Sequence, residues 1–568
     1  MLLKINSRLS SFLVYFIASL GIGTIVTYLV LGGVSRLNPK RFDWIFGDNV
    51  TAYLAQLYFL SDRWRIPLTS NPDYGSEHST PLTYTGPNIP LTLIQKLLQL
   101  NPELQFFGVW IWMTISFQIL FGIFIAKEIN ASWIQAILFS VLTITPFFLA
   151  RFQLHFWLTP HFLILWSLLV ALRFFKYNRL QTFSTLVLIN LSLLLAPYIL
   201  MMVLSVIFFI ALNSIIERTI ATRKVVLHAL VLFASLVFTK SLFDGLGTQS
   251  NSYESFKINF SGPDYGKFPY NLISFINPDV GLESYYLGLE NEYYLTTNFS
   301  SSKLSFGASP GSYEGYLYLG AGVLFLFCIL LYRIKKPSNL PVVFLNKINR
   351  RLFMSILVAI ILFSVTYNVS FGNHVLQIPF PYTGKWAFSA FRSSGRFMWL
   401  IAYMALVLVL LMLISKFSKN MLTKVLIAAV VLNLLDLSIP VYERFSALRQ
   451  ELPPVVNFKT LEFEKFKYFA EGKTRVISFP PGHGSPNWQE LNYWAFKMGM
   501  TTNSNQTGRI NFDLLKRESI ATFKIICDGP IGTTDLYVIH KDLIETFASC
   551  DLSRFSLNRI GELLILKN

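Results

Sequence analysis

Charge is what this 568-residue chain has least of: Asp, Glu, Lys and Arg make up 14% of it, against about 25% in ordinary soluble domains. Acids are the scarcer sign, 31 against 48 Lys and Arg, and the formal net charge is +17. With 53% hydrophobic residues and a mean hydropathy of +0.49, that scarcity excludes an ordinary soluble domain. Only three cysteines are present, which excludes a disulfide-dense scaffold, and no Cys/His spacing supports zinc. Internal repeats and low-complexity runs are absent.

What is present is a series of apolar stretches near the roughly 20 residues needed to cross a bilayer as helix. Eleven are read: Ser10–Val34, Phe106–Ala126, Trp133–Ala150, Thr159–Phe174, Phe183–Ala196, Tyr198–Ile215, Val225–Phe243, Tyr316–Tyr332, Phe353–Tyr367, Met398–Ile414 and Met421–Val441. The fifth and sixth meet at Ala196-Pro197 and can be one broken helix. The expected fold class is therefore an α-helical polytopic membrane protein of about eleven transmembrane helices. The first stretch is longer than a secretory signal core and no A-x-A-like site follows it, so it reads as a retained helix.

Basic residues orient the chain. A cytoplasmic N-terminus places eighteen Lys and Arg in inside segments, with only Glu128 and Glu217 as acids there. This is the positive-inside bias, and it accounts for most of the net charge with no nucleic-acid partner. Leu91–Leu100 is too short to cross and reads as an interfacial helix on the outer face. The domain reading is a membrane domain over 1–441 with external loops 35–105 and 244–312, then an external domain over 442–568. The C-terminal region is thus expected on the periplasmic or extracellular side of a cytoplasmic membrane.

That C-terminal region carries sixteen bases and fourteen acids, a near-balanced surface. Arg475–Phe479, Leu536–Ile539 and Leu563–Leu566 read as strands, with helical patterns near Trp488–Met498 and Asp542–Phe547, so an α/β domain is expected. It contains no phosphate loop or nucleophile elbow, and Pro480-Pro481-Gly482-His483-Gly484 reads as a turn after a strand. Cys527 and Cys550 fall here, where oxidation is permitted, and are a disulfide candidate. Cys328 reads as an apolar filler.

Several polar groups stand near the outer ends of apolar stretches, where charge is costly and commonly functional. They are Arg151 and His155 after the third, His161 at the start of the fourth, Lys240 late in the seventh, Asp436 late in the eleventh, and Arg392 and Arg396 before the tenth. Each alone reads slightly more readily as a snorkelling side chain or a local salt bridge than as a functional group. Their shared side is the external one, where a phosphate-bearing lipid headgroup would lie. A helical 392–396 segment would set both guanidinium groups on one face as forks for phosphate. Asp48, in the first external loop, is read either as the cap of the following helix or as a functional carboxylate.

The stretches Phe46-Gly47-Asp48, Trp64-Arg65-Ile66-Pro67-Leu68 and Asn71-Pro72-Asp73-Tyr74-Gly75 carry a resemblance. So do Arg151…His155…His161, Tyr313-Glu314-Gly315-Tyr316-Leu317-Tyr318-Leu319-Gly320 and Phe391-Arg392-Ser393-Ser394-Gly395-Arg396-Phe397-Met398-Trp399. Over nearly its whole length the chain resembles the GT-C superfold of integral-membrane glycosyltransferases that use polyprenyl-phosphate sugars, and within it a bacterial branch.

The resemblance implies a catalytic carboxylate at Asp48. Arg392, Arg396 and Lys240 would meet the donor phosphate, and Arg151, His155 and His161 would position substrate. It implies a lipid bilayer and a polyprenyl-phosphate-linked sugar as partners, with a glycan, lipid or protein acceptor, and inversion at the anomeric centre. A divalent cation (Mg or Mn) near Asp48 is a further implication. Members often carry a second acid just before the interfacial helix, where this chain has Tyr84-Thr85-Gly86-Pro87-Asn88, which weakens a two-carboxylate metal site. Tyr265, Tyr285 and Tyr293 can stack on sugars or pack their own loop. The alternatives are a transporter or flippase for a lipid-linked saccharide, and a non-catalytic structural member of the same fold.

Overall fold

The computed structural model describes residues 2–42, 44–45, 48–86, 88–245, 265–278, 312–334, 347–388, 391–447, 461–484, 487–506 and 512–567. Tyr285, Tyr293 and most of the expected loop 244–312 lie outside these described residues. In chain order the helices begin with α1 (Leu2–Leu31), α2 (Asp48–Ser61), α3 (Ile89–Leu97), α4 (Phe107–Glu128), α5 (Trp133–Leu142), α6 (Pro146–Leu149) and α7 (Arg151–Leu154). Then come α8 (Phe162–Tyr177), α9 (Thr182–Leu195), α10 (Pro197–Ile216), α11 (Thr222–Asp244), α12 (Ala321–Ile334) and α13 (Arg350–Val365). A hairpin of β1 (Asn368–Phe371) and β2 (His374–Gln377) precedes α14 (Tyr382–Ala387), α15 (Met398–Lys416) and α16 (Lys419–Ala447). The remainder is α17 (Leu461–Ala470), β3 (Arg475–Phe479), α18 (Trp488–Lys497), β4 (Thr501–Thr502), α19 (Phe512–Cys527), β5 (Asp535–His540), β6 (Ser556–Ile560) and β7 (Leu563–Lys567).

The chain divides into two compact units. The first comprises Met1–Leu37, Phe107–Val237 and Pro263–Gln450; the second comprises Asn38–Phe106, Phe238–Gly262 and Glu451–Asn568.

A helix occupies each of the eleven apolar stretches. Among the described residues seven helices have the length and apolarity to cross a membrane: Ser11–Leu31, Phe107–Glu128, Phe156–Tyr177, Pro197–Ile216, Thr222–Asp244, Ser394–Lys416 and Lys419–Leu437. The protein is an integral, polytopic membrane protein. Local chemistry explains the breaks. Ser132 and Gln135 form a capping box that starts α5. Pro146 cannot donate to the turn before it and opens α6, which splits the third apolar stretch. Ala196 is extended (φ −158°) and Pro197 takes the first position of α10, so the fifth and sixth stretches are two helices.

The second unit is built on a five-stranded sheet of order β4-β3-β5-β7-β6. β3 runs parallel to β4 and β5, whereas β7 is antiparallel to β5 and β6. The three strands expected from sequence coincide with β3, β5 and β7. The Asp542–Phe547 pattern lies within a 3-10 helix, Lys541–Phe547, and the short β4 carried no sequence signal of its own. α19 packs on β3, and Ile477, Phe479, Ile526, Tyr537 and Ile539 form the core between sheet and helix.

Residues of the first loop complete this unit. Tyr74 bridges Thr502 in parallel, with the Gly75 amide donating to Thr502 O at 2.9 Å and the Thr502 amide to Asp73 O at 3.1 Å. Tyr58 Oη donates to Asn492 O at 2.9 Å. Gly75 sits at φ +100°, and a Cβ there would come within 2.0 Å of Asn505 Nδ2, so only glycine fits. α3 is capped by Asn88, whose side chain accepts from the Leu91 amide at 3.0 Å. It buries Thr92, Gln95 and Lys96 and exposes Ile94 and Leu97.

Cys527 is bonded to Cys550 across 23 residues, with a Cα–Cα distance of 4.6 Å. Closing a loop of that size restricts the unfolded chain by about 3 kcal/mol. The Cys527→Ser, Cys550→Ser double variant is expected to unfold at lower denaturant than the oxidised parent. Adding reductant should remove the difference; equal midpoints under oxidising conditions would deny the bond a stabilising role.

Candidate functional site

Two polar constellations carry the candidate residues, one in each unit. In the first unit, the break at Pro146 is followed by the single turn of α7, which delivers Arg151 into the interior at 0% exposure. Glu314 comes from a 3-10 turn, Ser312–Gly315, and Arg396 from another, Ser394–Phe397. The two turns approach through glycines: a Cβ on Gly395 would lie 2.8 Å from the Gly315 Cα. Residues with side chains at either place would force Glu314 and Arg396 apart.

The result is a charge cluster centred on Glu314. Arg396 donates Nε–H to Oε2 at 2.9 Å and Nη2–H to Oε1 at 2.6 Å, a two-pronged pair. Arg151 donates from Nη1 to Oε2 at 3.1 Å and from Nη2 to the Tyr313 carbonyl at 2.8 Å. His155 Nε2 stands 3.6 Å from Oε1. Aromatic faces back both guanidinium groups, with Arg151 Cζ 4.9 Å from the Trp399 ring centre and Arg396 Cζ 4.7 Å from that of Tyr198. Burial alone would raise the Glu314 carboxyl, but Arg396, His155 and Arg151 together hold it well below the ordinary carboxylate range. Among the described residues, two arginines against one carboxylate leave a surplus positive charge in a nearly dry site.

His161 lies beside this cluster, fully buried, with Nδ1 3.0 Å from Tyr403 Oη and its ring 4.5 Å from Trp399. Arg392 sits half-buried in the turn before Ser394–Phe397, and its carbonyl accepts from the Phe268 amide at 3.3 Å. That stretch is a turn leading into 3-10 helix, so Arg392 and Arg396 do not share an α-helical face. Asp436, at 2% exposure, accepts from Tyr318 Oη and the Ala321 amide, both at 3.0 Å, which ties α16 to the start of α12. Tyr265 is buried against Phe363 and Phe388 and donates to the Phe363 carbonyl at 3.0 Å.

The second unit holds Asp48 and Lys240. Asp48 opens α2, and Gln506 Nε2 donates to its Oδ1 at 3.5 Å. Gln506 is itself held by Thr51, whose hydroxyl donates to Oε1 at 3.1 Å. Gln506 follows β4, and His483 follows β3. These are the carboxyl ends of adjacent parallel strands, the edge where open α/β sheets place their ligands. Burial holds the His483 imidazole below its ordinary value, opposed by the charge of Asp48 and reinforced by His78. His78 Nδ1 is 2.5 Å from Glu518 Oε2, with both side chains largely buried. Lys240 pairs with Asp244 and donates to Tyr84 Oη at 2.9 Å, while Thr69 and Thr83 donate to Asp244 Oδ1.

The structure therefore gathers Arg151, His155, His161 and Arg396 in the first unit and puts Asp48 and Lys240 in different networks of the second. Sequence reasoning assigned no role to Glu314, although it stands in a quoted motif, nor to His483 and Gln506. The signal available for Glu314 was its place, two residues before the eighth apolar stretch at Tyr316. Among the described residues no group of three or more His, Cys, Asp and Glu could hold a metal ion. Asp48 with the Thr51 and Gln506 oxygens is a sparse donor set for Mg or Mn, and no step is derived through a metal.

No curated protein matches this sequence. Two solved structures of ArnT from Cupriavidus metallidurans are similar to the chain, one in the apo state and one bound to undecaprenyl phosphate. They are 10% and 11% identical, each with 98% of both chains covered, at TM-scores of 0.38 and 0.39. The model of the family described as a domain of unknown function, DUF6311, matches residues 21–438.

Proposed function

The chain belongs to that DUF6311 family, and from this premise we propose that it is a membrane glycosyltransferase. It moves a sugar from a polyprenyl-phosphate donor to an envelope acceptor on the external face, with inversion. The observation that carries the reading is the buried Arg151–Glu314–Arg396 cluster, which among the described residues retains a net positive charge after its one carboxylate is counted. A lipid monophosphate leaving group completes that balance, and stabilising its departing charge is the main electrostatic task of the reaction. Arg392, with no ion pair among the described residues, is the guanidinium most available to it. Lys240 is the weaker donor-phosphate assignment because Asp244 already neutralises it. His155 and His161 position the substrate.

Asp48 is assigned the proton of the attacking hydroxyl. A single base acting as the bond to carbon forms gives direct displacement, and direct displacement inverts the anomeric centre. The amide of Gln506 orients the carboxylate.

The experiment is transfer of radiolabelled sugar from polyprenyl-phosphate donors to envelope fractions by the purified chain. Labelled product is expected; donor crossing reconstituted vesicles without transfer would instead identify a flippase. Arg392→Gln is expected to weaken donor binding by about 1.5–3 kcal/mol, the worth of a charged hydrogen bond. Unchanged binding would remove Arg392 from the donor site.

A further inference from the structure

A cavity of about 480 Å³ opens within the first unit, walled by α8, α10, α13 and α15. Its volume is that of a ligand site, within the usual range of about 300–1,000 Å³, and far exceeds the gaps left by ordinary interior packing. Its wall is apolar apart from Ser205, whose hydroxyl is spent on the Met201 carbonyl at 2.8 Å, and Arg350. Along α15 the lining runs from Leu400 to Leu411, and along α13 from Arg350 to Ile360. At 1.5 Å per residue each run is about 15 Å long, half of the roughly 30 Å hydrocarbon core. The depth is that of one leaflet.

One end of the cavity is charged. Arg350 begins α13 and is exposed, with Arg351 exposed beside it, and no acid pairs with either among the described residues. Lys347 donates to the Phe175 carbonyl at 3.1 Å and Asn178 Oδ1 at 3.2 Å, which fixes this entrance to the end of α8. Met354, on the wall next to the entrance, is 51% exposed, so the cavity reaches the surface sideways. This is the end of the bundle where Arg173 and Lys176 lie, the side that the positive-inside bias assigns to the cytoplasm. The Arg151–Glu314–Arg396 cluster lies beyond the opposite end, one turn before Leu400.

We propose that this cavity is a binding site for one anionic phospholipid of the basic-side leaflet, with an acyl chain between α8, α10, α13 and α15 and the phosphate on Arg350. The apolar wall takes the chain and the arginine selects the charge. The site is separate from the proposed sugar-transfer site and does not depend on it.

Native mass spectrometry of the full chain in detergent, titrated with dioleoyl-phosphatidylglycerol or dioleoyl-phosphatidylcholine, tests the proposal. One bound phosphatidylglycerol is expected, favoured about tenfold or more over phosphatidylcholine, the factor that one charge-assisted hydrogen bond supplies. Arg350→Gln, a surface change, should abolish the preference, and Leu408→Trp, which fills the cavity, should abolish retention of either lipid. Should Leu408→Trp fail to fold, the Arg350→Gln comparison decides alone. Equal retention of the two lipids by the parent would overturn the proposal, as would an unchanged preference in Arg350→Gln. So would displacement of phosphatidylglycerol by stoichiometric undecaprenyl phosphate.

Discussion

Glu314→Gln is expected to leave little folded protein. The substitution keeps the shape of the side chain but removes the only acid among the described residues that faces Arg151 and Arg396, whose side chains are 0% and 8% exposed. Breaking a buried ion pair by deleting one partner costs about 3–5 kcal/mol, because the remaining charge keeps its desolvation penalty. Here two cations are left together. That is a large part of the roughly 5–15 kcal/mol that holds a typical domain. Thermal unfolding of the detergent-solubilised protein measures it, with expression level as a second readout. A midpoint within a degree or two of the parent would mean that Glu314 does not balance the cluster. The Arg151→Met, Glu314→Gln double variant should recover part of the loss, since one uncompensated charge goes with the acid.

The second large effect concerns turnover. Asp48→Asn keeps the size of the side chain and leaves an amide that Gln506 can still meet. Asparagine caps a helix about as well as aspartate, so α2 should survive and the unfolding midpoint should hardly move. What is lost is the proton acceptor. Removing a general base commonly lowers the rate by about 10²–10⁴, and sugar transfer under conditions where chemistry limits the rate should fall by that factor. Asp73→Asn, in the same loop, serves as the control. Full transfer by Asp48→Asn would return Asp48 to the role of a helix cap.

The membrane class was legible because bilayer thickness imposes a length on every span, and length is visible in one sequence. The breaks were legible only in part. Ala196-Pro197 announced itself, whereas the split at Thr145-Pro146 was hidden inside an otherwise apolar stretch. Arg151, His155 and Arg396 stood out because charge is rare at such depth. Their partner did not, since Glu314 is 163 residues from Arg151 and 82 from Arg396. No periodicity links positions so far apart. Gln506 is 458 residues from Asp48, and the His483 turn looked ordinary because nothing local says which strand edge it crowns. Strand β4, two residues long, is defined by its neighbours β3 and Tyr74 rather than by its own composition.

The way the second unit is threaded sets a timetable for its birth. Tyr58, Tyr74 and Gly75 find their partners at Asn492 and Thr502, more than four hundred residues later. Ribosomes add about 5–20 residues per second, so roughly half a minute to a minute and a half separates emergence of the first loop from that of the last strand. Throughout that interval the aromatic face of α2 lacks its partner helix α18, where Tyr58 meets Asn492 and Phe496. A nascent chain in this condition is a client for holdases, and a premature stop before Arg475 would make it a permanent one. Quality control should therefore recognise truncated products by their first loop, at the opposite end of the gene from the lesion.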